Sequence, residues 1–448
     1  MNRPSPAYRA VAAAIFFGFA VAGIRVGAVL ALWTGLSTDP DAYVTLAESW
    51  RQSGAYGLID AEGAPRPTAF RPPAYPALLA GTTLDGDVDP PQIAALHVLL
   101  GLGTVLGAFV WGGVVHSMRV GRLAAIGVAV DPILLNQSAQ PMTETLATFL
   151  AVWAIAALAW AAKRDRPAPF ALGGLALGLA CLARPTFLPV FVLWAGYLIV
   201  RSFSKASSAD DSAPAPSAGR RRLAFLYFAL PVLALIGGWT LRNQIVLGSP
   251  VVATTHGGYT LLLGNNDDFY HWLNDPEAAP IWTAEQLQAD LERERVAAAP
   301  ETEVEEDRRL QRTAREWIAA HPAAFVECCL YRLGRFWAPV PASVGEGGGF
   351  RTTVLRYGIG SWYVAAYVLA AIGLFAERKR LASADFAPAL LMTFAFVAVH
   401  AVYWTDVRMR APILPVVFLF AALGICSLAA ALRRRRERKV SPSAPVRA

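Results

Sequence analysis

Two aspartates, Asp39 and Asp41, open the first long polar stretch of the chain, STDPDAYVTLAESWRQSGAYGLIDAEGAPRPTAFRPPAYP at 37–76. A carboxylate next to apolar sequence can take a proton from an attacking hydroxyl or amine, which is general-base chemistry. The same acids also have a local use. Asp39 precedes Pro40, and Asp at N-cap with Pro at N1 starts a helix. Asp41 then complements the helix dipole. Tyr43, Leu46, Ala47 and Trp50 follow at i, i+3, i+4 and i+7 and form one apolar face. Gly54 is the natural stop. The spacing predicts a short helix on the membrane surface, anchored by Tyr43 and Trp50. On residue types alone, capping and catalysis both stay open for Asp39.

The rest of the chain must place this stretch. Of its 448 residues, 55% are hydrophobic and 16% charged, with a mean hydropathy of +0.40. A soluble enzyme carries more charge. Apolar runs recur, each near the ~20 residues that cross a bilayer. The expected fold is an all-α polytopic membrane protein with about ten spans. The net charge of +7 sits between spans and at the ends, where it marks topology; nucleic acid is not an expected partner. Cys181, Cys328, Cys329 and Cys426 have no metal spacing. The first apolar run is too long for a signal-peptide core and reads as a retained span.

Spans are expected near 10–36, 92–115, 123–135, 142–162, two tilted ones within 169–200 broken at Arg184-Pro185, then 223–245, 354–375, 386–403 and 411–432. The Ser/Ala/Pro-rich stretch at 203–221 reads as a disordered linker. With a cytoplasmic N-terminus, every even turn carries basic clusters, as the positive-inside rule asks. Both termini are then cytoplasmic, in a multi-pass protein of the cell (inner) membrane. The division follows: an N-terminal membrane module at 1–245 with a first extracytoplasmic loop at 37–90, an extracytoplasmic segment with helices at 246–353, C-terminal spans at 354–432 and a basic tail at 433–448.

Several motifs occur in a recognisable order. Asp39, Tyr43, Leu46-Ala47 and Gly54-Ala55-Tyr56 precede Arg71-Pro72-Pro73-Ala74-Tyr75-Pro76. Met142-Thr143-Glu144, GLACLARP at 178–185, WTLRNQIVLG at 239–248, Gly257-Gly258, Gly264-Asn265-Asn266, His321-Pro322, Phe336-Trp337 and the Arg408 to Pro412 stretch follow. Together they resemble the GT-C superfamily, in particular the group around dolichyl-phosphate-mannose protein mannosyltransferases and bacterial lipid A aminoarabinose transferases. Ala74 stands where that pattern has Gly.

The resemblance implies a GT-C-like bundle that moves a sugar from a polyprenyl-phosphate donor to a lipid, glycan or protein acceptor on the extracytoplasmic face. Such a donor needs one carboxylate to take the acceptor's proton and cations to hold the departing phosphate. By the resemblance Asp39 is that base, with Asp41 as the second candidate, and C1 inverts. Arg71, Arg242, Arg408 and Arg410 are the candidate phosphate-binding residues, since guanidinium suits bidentate phosphate contact; snorkelling at the interface is their other use. Tyr43, Tyr75, Glu144, His256 and Asn265 are the candidate substrate-pocket residues. Arg184 reads as an ion-pair partner of Glu144, and His97 as a hydrogen-bonded structural residue.

No HExxH spacing is present, so no zinc site is expected, while a divalent cation stays open. No GxGxxG or Walker pattern follows a strand, which disfavours a nucleotide-sugar donor. Two rivals stand beside this reading: a polytopic transporter or lipid flippase, and an O-antigen-type ligase or polymerase.

Overall fold

The computed structural model describes residues 6–440 except 61–62, 84–85, 165–166, 204–217, 276, 278–280, 298–299 and 343–348. The described chain is helical nearly throughout, as expected for a polytopic membrane protein. Among the described residues, five helices are long and apolar enough to cross a bilayer: Pro90–Val115, Glu144–Lys163, Leu223–Leu247, Phe350–Ala376 and Val407–Glu437. Four shorter apolar helices accompany them: Phe16–Ala31, Pro167–Cys181, Phe187–Phe203 and Ala387–Val402. The helix from Glu144 is the central one, packed on Pro90–Val115 and Pro167–Cys181.

Local chemistry sets the boundaries. Asp89 and Gln92 form a capping box with Pro90 at the first position of the second span. Thr-Phe after Arg184-Pro185 begins a new helix at Phe187, so the expected break occurs. The helices Phe350–Ala376 and Val407–Glu437 cross with their backbones in contact. A side chain at Gly373 would strike the Phe420 carbonyl, and one at Gly424 the Leu369 carbonyl. Small residues at such crossings let membrane helices approach closely.

Two expectations need correction. The run at 123–135 is two helices, Met118–Ala129 and Pro132–Gln137. Asp131 caps the second, accepting from the Leu134 N–H at 2.9 Å with Pro132 behind it. Of the stretch 203–221 expected as a disordered linker, Phe203 ends one helix and 218–221 begin the next; 204–217 lie outside the described residues. The last helix runs on through the basic residues from 433 to Val440, and 441–448 lie outside the described residues.

The first loop and the segment after Leu247 cap one end of the bundle. A hairpin pairs Gly57–Ile59 antiparallel with Pro65–Pro67 in register Gly57↔Pro67. Short helices Gly257–Leu263 and Asp267–Asn274 precede three longer ones, Glu285–Ala297, Glu303–Ala320 and Pro322–Trp337. Pro322–Trp337 packs on Ala387–Val402, held by buried Arg332, which donates to the Ala401 carbonyl at 2.7 Å. At the opposite end of the bundle Arg380 pairs with Asp385 at 2.7 Å, and Lys163 approaches the same carboxylate at 3.7 Å.

Candidate functional site

A cavity of about 620 Å³ opens where the first loop, the starts of two helices and the later segment meet. Its charged wall is made of Asp41, Arg71, Glu144, Arg184 and Arg408, with His256 and His400 beside them. Apolar residues such as Leu188, Leu263 and Val399 complete it. Segments far apart in sequence supply these groups, and all of them fall on the face that the charge pattern had grouped together.

The first loop delivers its acids in two directions. The helix begins at Tyr43, not at Pro40, because Ala42 sits at φ 59°, ψ 27° in the left-handed region. That conformation is uncommon for a residue with a side chain and interrupts the helix. It folds Asp39 back over the helix end. Asp39 accepts from the Val44 N–H at 3.1 Å, the Thr45 N–H at 2.9 Å and the Thr45 hydroxyl at 2.8 Å. Asp39 therefore caps the helix with both oxygens and is not part of the cavity wall. Asp41 is on that wall. Its Oδ1 lies 2.6 Å from Arg71 Nη2, and Arg71 Nε donates to its carbonyl at 3.0 Å. Arg71 also stacks on Phe70 at 4.4 Å.

Tyr43 and Trp50 are not surface anchors. Tyr43 is buried, with its ring edge-on to Tyr75 at 5.3 Å, and faces the cavity. Trp50 is half-buried against Tyr56 at 5.1 Å. Gly54 ends the helix as expected, at φ 75°.

Glu144, fully buried, opens the central helix between two guanidiniums. Arg184 lies 2.8 Å away, the pairing expected from sequence, and Arg408 lies 3.8 Å away. Arg184 also donates to Thr143 Oγ1 at 3.1 Å. The second Glu144 oxygen, Oε2, has no hydrogen-bond partner among the described residues. His256 stands between Phe70 at 4.8 Å and Tyr259 at 4.9 Å. Burial and then the Arg71 charge push its imidazole down to about 3, so the ring is neutral at ordinary pH.

Besides Asp39, four sequence candidates lie outside the cavity wall. Arg410 is 1% exposed and donates to the Phe336 and Ala338 carbonyls at 2.9 and 2.7 Å, under the Tyr363 ring. Arg242 donates to the Thr68 and Tyr56 carbonyls at 2.8 and 2.6 Å. Both guanidiniums hold backbone in place of an anion. Tyr75 backs the pocket, its hydroxyl 2.9 Å from His97 Nε2, and His97 Nδ1 meets the Ser138 carbonyl at 3.1 Å. Asn265 donates to the Leu261 and Val402 carbonyls at 2.7 and 2.9 Å, which ties the outer segment to a spanning helix. Buried carbonyls need such partners, and these side chains supply them.

The comparisons with known proteins agree with this architecture. Residues 70–214 match the dolichyl-phosphate-mannose-protein mannosyltransferase family. No curated protein matches by sequence. Among solved structures, the oligosaccharyltransferase AglB from Archaeoglobus fulgidus, in complex with an inhibitory peptide and a dolichol-phosphate, superposes with a TM-score of 0.51 at 15% identity, covering 96% of this chain and 52% of that one. The Archaeoglobus fulgidus oligosaccharyltransferase in complex with Zn and sulfate gives 0.51 at 15% identity, over 93% of this chain and 50% of that one. The chain thus spans about half the length of these proteins. ArnT from Cupriavidus metallidurans bound to undecaprenyl phosphate also matches, with a TM-score of 0.38 at 14% identity over 89% of this chain and 76% of that one. Among the described residues no group of three or more His, Cys, Asp or Glu could hold a metal ion. The chain is thus a polytopic helical membrane protein whose fold is similar to that of the archaeal oligosaccharyltransferase and whose segment 70–214 is similar to the dolichyl-phosphate-mannose-protein mannosyltransferase family.

Proposed function

We propose that the chain is a membrane glycosyltransferase that moves a sugar from a polyprenyl-phosphate donor to an acceptor, with Asp41 as general base. The observation that carries this reading is the common cavity: the carboxylates of Asp41 and of Glu144, the latter held by Arg184, share it with the guanidiniums of Arg71, Arg184 and Arg408. A matched family named for a dolichyl-phosphate-mannose donor supports the donor class, as does a dolichol-phosphate complex of the archaeal relative.

Asp41 takes the role that the motif order assigned to Asp39. It accepts the acceptor's proton as the nucleophile attacks C1, and the C1–O bond to phosphate breaks in the same displacement, so C1 inverts. The phosphate departs with its charge held by guanidinium. Arg408 suits this best. Arg71 and Arg184 have carboxylate partners at 2.6 and 2.8 Å, whereas Arg408 stands 3.8 Å from a carboxylate that Arg184 already holds. The cavity face is extracytoplasmic and both termini are cytoplasmic; the basic residues at the opposite helix ends, Lys163 and Arg380 among them, support that orientation.

The test is a transfer assay in membranes with labelled polyprenyl-phosphate sugars, comparing wild type with Asp41→Asn. Label in a covalent product from wild type and none from the variant is expected. Lipid or solute flux across vesicles without any covalent product would turn the reading toward the transporter.

A further inference from the structure

The helix Glu303–Ala320 carries two carboxylates that reach out of its own segment. Glu303 accepts from the Thr68 hydroxyl and, at 2.7 Å, from the Ala69 N–H. Asp307 lies four residues on, on the same helix face, and accepts from the Gly258 N–H at 2.6 Å. Neither acid borders the cavity, but both of the loops they grip do. Thr68 and Ala69 lead into Phe70 and Arg71. Gly258 follows His256 and Gly257.

The two loops are also fastened to each other. The Thr255 N–H donates to the Ala69 carbonyl at 3.0 Å, and the Thr254 hydroxyl to the Phe70 carbonyl at 2.5 Å. Gly258 permits the close approach, since a side chain there would strike the Asp307 carbonyl. Thr68 is gripped from both ends, by Glu303 at its hydroxyl and by Arg242 at its carbonyl.

Capping of its own helix does not account for Glu303. Thr302 and Glu305 already form a capping box, with the Thr302 N–H donating to Glu305 at 2.9 Å. Leu310 and Ala314, further along the helix, pack with Leu261 and Leu262, so its middle is pinned to the same wall. We propose that Glu303–Ala320 is a strap across the cavity rim and that Glu303 and Asp307 are positioning residues, holding the loops that carry Arg71 and His256 against the cavity in which the lipid phosphate binds. The ligand half of this inference rests on the donor reading above.

The experiment uses the full chain in lipid nanodiscs, with two readouts: amide hydrogen exchange, and binding of undecaprenyl monophosphate. Glu303→Gln keeps size but leaves one acceptor for two donors. It should speed exchange at 69–71 by about tenfold, the loss of one charge-assisted hydrogen bond, and weaken lipid binding by a similar factor. Asp307→Asn should act in the same way at 257–259. Thr68→Val removes the hydroxyl that donates to Glu303 and accepts from the Phe70 N–H at 2.9 Å, and should likewise speed exchange at 69–71. Unchanged exchange at 69–71 in both Glu303→Gln and Thr68→Val would overturn the strap. Changed exchange with lipid binding equal to wild type would overturn the positioning role. Failure of wild type to bind the lipid counts against the donor reading alone, and the exchange data then still decide the strap.

Discussion

The Asp41 carboxylate and the Arg71 guanidinium meet at 2.6 Å on the cavity wall, while Asp39, two residues earlier, is turned onto its own helix end. The two acids therefore have separable consequences. Asp41→Asn should lower transfer by about 10²–10⁴-fold, the usual share of a general base, with little change in melting temperature. Asp39→Asn should keep most activity and lose about 1 kcal/mol of stability as a weakened cap. Labelled-donor transfer and thermal unfolding on the same membrane extracts check both. The reverse pattern, activity lost only with Asp39→Asn, would return the base to Asp39.

Arg408 and Arg410 should separate in the same way. They are two residues apart in a 3-10 segment, Val407–Ile413, and at three residues per turn they face different sides. Arg408→Ala should raise the donor KM or Kd by at least about tenfold, from the loss of a charge-assisted contact, and leave folding intact. Arg410→Ala strands the Phe336 and Ala338 carbonyls. It should cut yield and melting temperature, and any protein that folds should bind donor normally. Donor binding lost in Arg410→Ala at wild-type stability would contradict this division.

Glu144 is fully buried against Arg184. Removing one partner of such a pair leaves an uncompensated charge, which costs about 3–5 kcal/mol. Glu144→Gln should therefore reduce folded protein sharply, and adding Arg184→Gln should recover a large part of it. Folded yield by size-exclusion fluorescence reads both. A double variant less stable than Glu144→Gln would show that Arg184 is held by more than this carboxylate.

The helical membrane fold was legible because apolar runs and basic turns report directly on the solvent each segment prefers. The same charge pattern placed 37–76, the Arg184 break, the segment after Leu247 and the Arg408 turn on one face, and those are the pieces that build the cavity. Finer grammar was less dependable. Asp-Pro predicts a helix start, and it holds at Asp89-Pro90 and at Asp131-Pro132, where reading one continuous span hid it. At Asp39-Pro40 the helix waits until Tyr43, because Ala42 adopts a left-handed conformation that no residue type announces. Which arginine faces the cavity depends on a 3-10 segment that hydropathy does not reveal. Glu303 and Asp307 lie in a charge-rich run where every neighbour is also a plausible solvated residue, so their long-range partners had no sequence signal.

His256 gives the pH prediction. Burial, and then the charge of Arg71, push it from the ordinary 6.5 to about 3. The folded protein keeps the ring neutral, whereas the unfolded chain takes up a proton below about 6.5. The stability contribution of His256 is thus complete above pH 6.5 and declines as pH falls toward 3. Other acids titrate in the same window, so the comparison must be with His256→Gln, which lacks this proton. Melting temperatures of the two proteins should diverge on acidification, with wild type falling more steeply between pH 6.5 and 4. The acid limb of the transfer profile should keep its midpoint in His256→Gln, because a ring already neutral there is not the titrating group. Parallel melting curves over that range would show that His256 titrates normally in the fold, and a limb that vanished in the variant would make it the titrating group.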